Sequence, residues 1–201
     1  MKKWIRRYID MYFTQETLDV VLDLYAGNFF TCNFSELDFD FHDLTGMIFN
    51  RCNLRGADLS NCIINSITVF ENCEFDENTK MPDVPMACPE EGAFIGYKKA
   101  VFGDMMVPDE CIVTLQIPED AKRSSAFGKK CRCDKAKVIE IIALDEEETL
   151  LEEAFSCYDA SFKYRLGEIV EVKDFNEFRW NECATGIHFF MDTYTAEDYV
   201  F

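Results

Sequence analysis

The chain has 201 residues, of which 48% are aliphatic, aromatic or Cys and 29% are charged. That composition can bury a core and excludes a disordered chain. Its 38 acidic residues outweigh 20 basic ones, for a formal charge of −18. Both parts are acidic, with 7 basic against 14 acidic residues up to Pro85 and 13 against 24 beyond it. Nucleic-acid binders that track phosphates need clustered Lys and Arg, so direct nucleic-acid binding is excluded. No apolar run approaches the roughly 20 residues of a membrane helix.

The first 26 residues are expected to form capping helices. The start, Met1-Lys2-Lys3-Trp4-Ile5-Arg6-Arg7-Tyr8, has the basic part of a signal peptide but no apolar stretch behind it. Ten cysteines without an export signal read as reduced thiols of a cytoplasmic protein. Residues 1–12 mix basic with apolar side chains and predict an amphipathic helix. A second helix opens at Thr14, carries Leu18, Val21, Leu22 and Tyr25 on its apolar face, and closes at Gly27.

From Gly27 an apolar residue recurs at every fifth position: Phe29, Phe34, Phe39, Leu44, Phe49, Leu54, Leu59, Ile64, Val69. Two places before each comes a second series: Gly27, Cys32, Leu37, His42, Met47, Cys52, Ala57, Cys62, Ile67. It is small or apolar except at His42. Phe75, with Cys73 before it, reads as a tenth unit after one inserted residue. A period of five fits neither helix nor strand. Ala57-Asp58-Leu59-Ser60-Asn61 and Cys52-Asn53-Leu54-Arg55-Gly56 resemble the pentapeptide-repeat family. The resemblance implies a right-handed, four-sided β-helix over residues 27–80, with both series pointing inward. At the ~4.8 Å spacing of strands, two and a half coils make a tower of roughly 12 Å.

Met81-Pro82-Asp83-Val84-Pro85-Met86 ends the repeats, and residues 81–87 read as a linker. Strands are predicted at 112–117, 137–142, 168–172 and 186–190, and helices at 146–155 and 195–200. The fold class is therefore mainly β: a helical cap, a short β-helix, then an α+β domain over 88–201. The strings Lys130-Cys131-Arg132-Cys133-Asp134-Lys135 and Trp180-Asn181-Glu182-Cys183-Ala184-Thr185-Gly186-Ile187-His188 resemble a domain of unknown function that follows pentapeptide repeats in phage and bacterial proteins. That resemblance implies phage-like origin and carries no activity.

Candidate sites are few. Cys131, Cys133, Cys183 and His188 make two close pairs of soft ligands, which a tetrahedral zinc would need. Neither pair has the common spacing, and strand thiols without metal are the favoured reading. No residue set reads as catalytic and no cofactor is expected. Gly186-Ile187-His188-Phe189-Phe190 with Tyr199 resembles a segment of poly-ADP-ribosyltransferase-type domains. By that analogy alone, Tyr97, His188 and Tyr199 would line a ligand pocket. On the tower, Phe30, Ile48 and Phe70 are expected on one sticky outward face, and Asp38, Asp40 and Asp58 on an acidic one.

The sequence favours a non-catalytic interaction protein of phage or prophage type, inhibiting a host enzyme or defence system through a basic partner surface. A homodimer through the apolar face is the other expected contact. A nucleotide-binding or degenerate transferase domain is the first alternative. An acidic DNA mimic acting on a topoisomerase is the second.

Overall fold

The computed structural model describes residues 4–65, 67–104, 106–126, 128–144, 149–181 and 184–200. The chain divides into two units, residues 1–85 with 180–183, and residues 86–179 with 184–201. Strands dominate both.

The first unit contains β1 (Trp4–Ile9), α1 (Gln15–Leu24), β2 (Tyr25–Phe30), β3 (Ile48–Asn50) and β4 (Val69–Glu71). Its four strands form one parallel sheet in chain order. Tyr8 stands beside Phe29, Phe29 beside Phe49, and Phe49 beside Phe70. A residue in the left-handed region follows every strand: Asp10 (φ 54°), Thr31 (53°), Arg51 (54°) and Asn72 (52°). The first three of these amides donate to the neighbouring rung, at Phe30 O, Asn50 O and Glu71 O, over 3.0, 2.9 and 2.8 Å. Beyond the sheet, single parallel bridges link Tyr12–Asn33–Asn53–Glu74, Asp38–Asp58–Lys80 and Asp43–Ile63.

Inside, like stacks on like. The rings of Tyr8, Phe29, Phe49 and Phe70 pile up with centroids 5.1, 4.9 and 4.9 Å apart. Phe13 lies 4.6 Å over Phe34 in the adjoining column. Leu54, Leu59, Phe39 and Leu44 are fully buried, and Cys32, Cys52, Cys62 and Cys73 fill the small slots as compact hydrophobes. Five polar residues that stand just before a central apolar residue share a task. Asn33, Asp38, Asp43, Asn53 and Asp58 each accept the amide two residues on, closing a turn that the side chain pins.

Three expectations need correction here. Residues 4–9 are a strand, not part of a helix, because Tyr8 continues the aromatic column while Ile5, Arg7 and Ile9 point the other way. The helix α1 ends at Leu24 and β2 starts at Tyr25, ahead of the glycine expected to close it. The inserted residue lies before Thr68, not after Val69. Thr68 and Phe70 are therefore the buried pair, at 4% and 3% exposure, while Ile67 is 61% exposed. The Thr68 hydroxyl donates to Leu44 O at 3.0 Å, and Asn65 accepts the Ile67 amide to absorb the extra residue.

The second unit holds β5 (Phe94–Phe102), β6 (Asp109–Ile117), β7 (Arg123–Ser125), β8 (Cys131–Cys133) and β9 (Lys135–Ala143). It continues through β10 (Glu153–Phe155), β11 (Lys163–Arg165), β12 (Ile169–Glu171), β13 (Ile187–Phe189) and α2 (Thr193–Glu197). A six-stranded antiparallel sheet has the order β11-β10-β5-β6-β9-β12, and a three-stranded one the order β13-β8-β7. Val113, Leu115 and Ile117 of β6, Val138 of β9, and Phe189 of β13 share their buried core. Phe189 passes so close to β5 that a Cβ on Gly96 would meet it at 2.5 Å.

This unit is β-rich rather than α+β. Of the helix expected at 146–155, residues 146–148 lie outside the described residues. Leu150 already bridges Ile142, and β10 follows with Ala154 buried between two half-buried neighbours. The acidic start misleads: the alternation at 153–155 pairs with β11 and β5, and sheet partners outweigh local helix preference. The short α2 does form near its expected place, capped by Asp192, which accepts the Thr195 amide at 2.7 Å.

Candidate functional site

The outer face of the parallel sheet is the first candidate. In parallel strands, paired residues point to the same side. Ile5, Arg7 and Ile9 of β1 therefore share a face with Asn28 and Phe30 of β2, Ile48 and Asn50 of β3, and Val69 and Glu71 of β4. Ile5 is 75% and Ile9 51% exposed. Phe30 is half-buried beneath the Arg7 guanidinium, 4.4 Å from the ring centroid. Of the three apolar residues expected on this face, Phe30 and Ile48 are there. Phe70 is not; it stacks inside on Phe49, and Val69 takes its place.

The expected acidic face is largely committed to the backbone. Asp38 Oδ1 accepts the Asp40 amide at 2.8 Å. Asp58 accepts from Ser60 at both its amide and its hydroxyl, and pairs with Lys80 at 2.7 Å. Lys80 and Ser60 together hold the Asp58 carboxyl down at about 2. Asp40 is exposed at a left-handed corner, with φ 45°. A groove of about 270 Å³ nearby is lined by Asp10, Tyr12, Asn33, Arg51, Asn53 and Glu74. One guanidinium against two carboxylates gives it no dominant charge.

Among the described residues, the members of the zinc constellation do not converge. β8 pairs with β13 so that Cys131 faces Phe189, Cys133 faces Ile187, and His188 pairs with Arg132. Cys131 and Cys133 thus share the core side of the sheet while His188 shares the opposite side with Arg132. Burial, then the neighbouring Asp134, pushes the Cys133 thiol up to about 12, the reverse of what a thiolate ligand needs. Cys183 lies outside the described residues.

The residues expected around a ligand separate in the same way. Tyr97 and Phe190 exchange backbone hydrogen bonds of 2.8 and 2.7 Å, and Tyr199 packs on Phe190 with ring centroids 5.1 Å apart. These two tyrosines meet beside Ile112 and Ala196. His188 belongs to the other sheet's outer side. Sequence reasoning missed Arg132, which is 1% exposed and donates to the carbonyls of Asn176, Phe178 and Thr185 at 2.7, 2.9 and 3.2 Å. It also lies over the Phe175 ring. An Arg between two buried cysteines was the available signal, since alternate strand residues face opposite sides.

Residues 84–196 match the model of a family of unknown function, DUF5758, and residues 28–65 match eight copies of the pentapeptide repeat. Among curated proteins, the chain is similar to an uncharacterized protein of Acanthamoeba polyphaga mimivirus, 36% identical over 99 residues. The match covers 45% of this chain and 62% of that relative, so the chain spans about three fifths of the relative's length. No solved structure matches.

Proposed function

The chain belongs to the DUF5758 family, with pentapeptide repeats ahead of the family domain, and from that premise we propose that it works by binding a protein partner rather than by turning over a substrate. The observation that carries this reading is the exposed apolar row on the parallel sheet. Ile5 and Ile9 stand free beside half-buried Phe30, Ile48 and Val69, a contiguous patch of the sort that marks protein contact sites. With a formal charge of −18, electrostatic steering favours a partner whose own apolar patch is rimmed by Lys and Arg.

The platform for that face is, in this reading, a short right-handed, four-sided β-helix. Support comes from strands recurring after 21, 20 and 21 residues, from a left-handed corner after each strand, and from bridges on the other sides. The coil then begins at β1, one turn before the first pentapeptide. Its first turn is closed by α1 rather than by repeats. The nine described cysteines form no disulfide, which suits a reducing cytoplasm.

The test compares wild type with an Ile5→Asp/Ile9→Asp variant as immobilised baits in host lysate. The expected result is a stoichiometric partner that salt releases and that the variant fails to retain. Equal capture by the two baits overturns the reading. So does catalytic release of nicotinamide from NAD by the purified protein.

A further inference from the structure

Two cysteines of the second unit are brought together by a loop and not by strand stacking. Cys88 lies on the segment 86–93 that leads into β5. It is the only buried residue there, 3% exposed between exposed Ala87 and exposed Pro89, Glu90 and Glu91. Three hydrogen bonds tie this loop to β7. The Ala87 amide donates to Ser125 Oγ at 2.7 Å, and Arg123 donates to Gly92 O at 2.7 Å and Pro89 O at 3.4 Å. Ser125 in turn pairs with Cys131 of β8. The loop thus delivers Cys88 to fully buried Cys131 in the same core, and the two thiols are hydrogen-bonded. Arg179, anchored to Ser125 O at 2.6 Å, brings a second guanidinium to this corner.

The other close thiols are held differently. Cys32, Cys52 and Cys73 stand in successive rungs, where Cys52 donates to Phe29 O at 3.5 Å and Cys73 to Phe49 O at 3.3 Å. Parallel rungs keep equivalent Cβ atoms about 4.8 Å apart, wider than the roughly 3.8 Å of a disulfide, and the ladder fixes that spacing. A loop carries no such restraint. Burial raises Cys62, Cys111 and Cys133 to about 12. The hydrogen bond from Cys131 instead brings Cys88 below the ordinary thiol value, opposed by burial and helped by Arg123 and Arg179.

We propose that Cys88 and Cys131 are a peroxide-responsive dithiol that closes to a disulfide when the loop 86–93 opens to a small oxidant. The Cys88 sulfur attacks one oxygen of hydrogen peroxide and the O–O bond breaks. The other oxygen leaves as water with the thiol proton, and Cys88 becomes a sulfenic acid. The Cys131 sulfur then attacks the Cys88 sulfur, the S–O bond breaks, and the hydroxyl leaves as water with the Cys131 proton. Two thiols have lost two hydrogens, and one peroxide has become two waters. The product ties the loop to β8 by a covalent bond where a thiol hydrogen bond stood. Both cysteines belong to the second unit, so this assignment and the protein-binding reading stand or fall separately.

The test treats the folded full chain with one equivalent of hydrogen peroxide, blocks the remaining thiols with iodoacetamide, and maps tryptic peptides without reduction. Trypsin cuts after Arg132, so Cys131 and Cys133 fall on separate peptides. The Cys88 peptide should appear joined to the Cys131 peptide, two hydrogens lighter than their sum. That link should form roughly tenfold faster than any other, and dithiothreitol should reverse it. Cys131→Ser should stop at a Cys88 sulfenic acid that dimedone traps, while Cys133→Ser should leave the link unchanged. A different pair joined first, Cys157 oxidised while Cys88 stays reduced, or a link that forms only after urea unfolds the chain would each overturn the proposal. The wild-type map decides between these outcomes even where a serine variant does not fold.

Discussion

Gln15 forms both hydrogen bonds of a β-bridge with Asp38. Its side-chain oxygen accepts the Asp38 amide at 3.0 Å and its side-chain nitrogen donates to the Asp38 carbonyl at 2.6 Å. Asp38 in turn bridges Asp58, which bridges Lys80. The first residue of α1 thus supplies, from a side chain, the backbone rung that an earlier repeat would have supplied. The helix closes the column without offering a strand edge for another chain to join.

Replacing Gln15 by Leu should therefore lower stability by about 1 kcal/mol, the net worth of a partly exposed hydrogen-bonded pair. Gln15→Glu should lose a similar amount, because a carboxylate accepts the amide but has no proton for the carbonyl. Urea unfolding of the three proteins checks this. A Gln15→Leu protein as stable as wild type would remove the bridge from the account of the cap.

The position of the inserted residue gives a sharp contrast. Phe70→Ala should cost about 3–5 kcal/mol, since it empties the stacked column under Phe49. Val69→Thr, on the outer face, should cost under about 1 kcal/mol. Leu54→Lys should cost about 4 kcal/mol or more, for a buried ammonium without a partner, against about 1 kcal/mol for Asn53→Lys, which loses only the turn bond from the Arg55 amide. Thermal unfolding ranks all four, and a Val69 variant less stable than the Phe70 variant would reverse the register.

Arg132 holds three carbonyls of the segment before β13. Arg132→Lys should cost roughly 2–4 kcal/mol, because one ammonium cannot reproduce the fork and leaves buried carbonyls unmet. Limited proteolysis should then cut within 173–181 in the variant first. Cleavage there at the wild-type rate would deny Arg132 its clamping role.

The Asp58–Lys80 pair predicts a specific acid dependence. The Asp58 carboxyl titrates from an ordinary 3.8 down to about 2, so its stabilisation is complete above pH 4 and vanishes as pH falls through 2. Lys80→Met should lower stability slightly at pH 7 and flatten the loss between pH 4 and pH 2. Parallel acid titrations of the two proteins decide it; identical slopes would assign the acid limb to other carboxylates.

Metal removal should change nothing. Cys131 and Cys133 face the core while His188 faces away, so dialysis against a chelator should leave the unfolding temperature of the purified protein unaltered. A fall of several degrees, restored by one equivalent of zinc, would require a site that these strands do not assemble.

Periodicity determined the first unit. Eight apolar residues at every fifth position, from Phe29 to Ile64, cannot all be buried by a helix or a single flat strand, and their mostly small or apolar partners two places earlier leave room for close stacking. Asn53 and Asp58 stand before the centres of the two repeats quoted, and their physical role is a local one, accepting the amide two residues on. Local hydrogen bonds of this sort are written in a five-residue window. So were the strands of β6, β9, β12 and β13, whose alternation or apolar runs are strong by themselves.

Tertiary structure decided what a window cannot hold. Residues 4–9 are a strand because β2 lies beside them, and their alternation is too short to outweigh a helical reading by itself. The insertion moved to Asn65 because Phe70, not Val69, completes a ring column that starts at Tyr8, more than sixty residues earlier. Cys131, Cys133 and His188 are close enough in pattern to suggest one site, yet strand pairing sends them to opposite sides of a sheet. Lys98 reads in sequence as one polar residue in Tyr97-Lys98-Lys99. Only its place on the core side of β5, by the buried Tyr164 ring, distinguishes it from Lys99, because desolvation depends on what packs around a charge and not on what adjoins it in the chain.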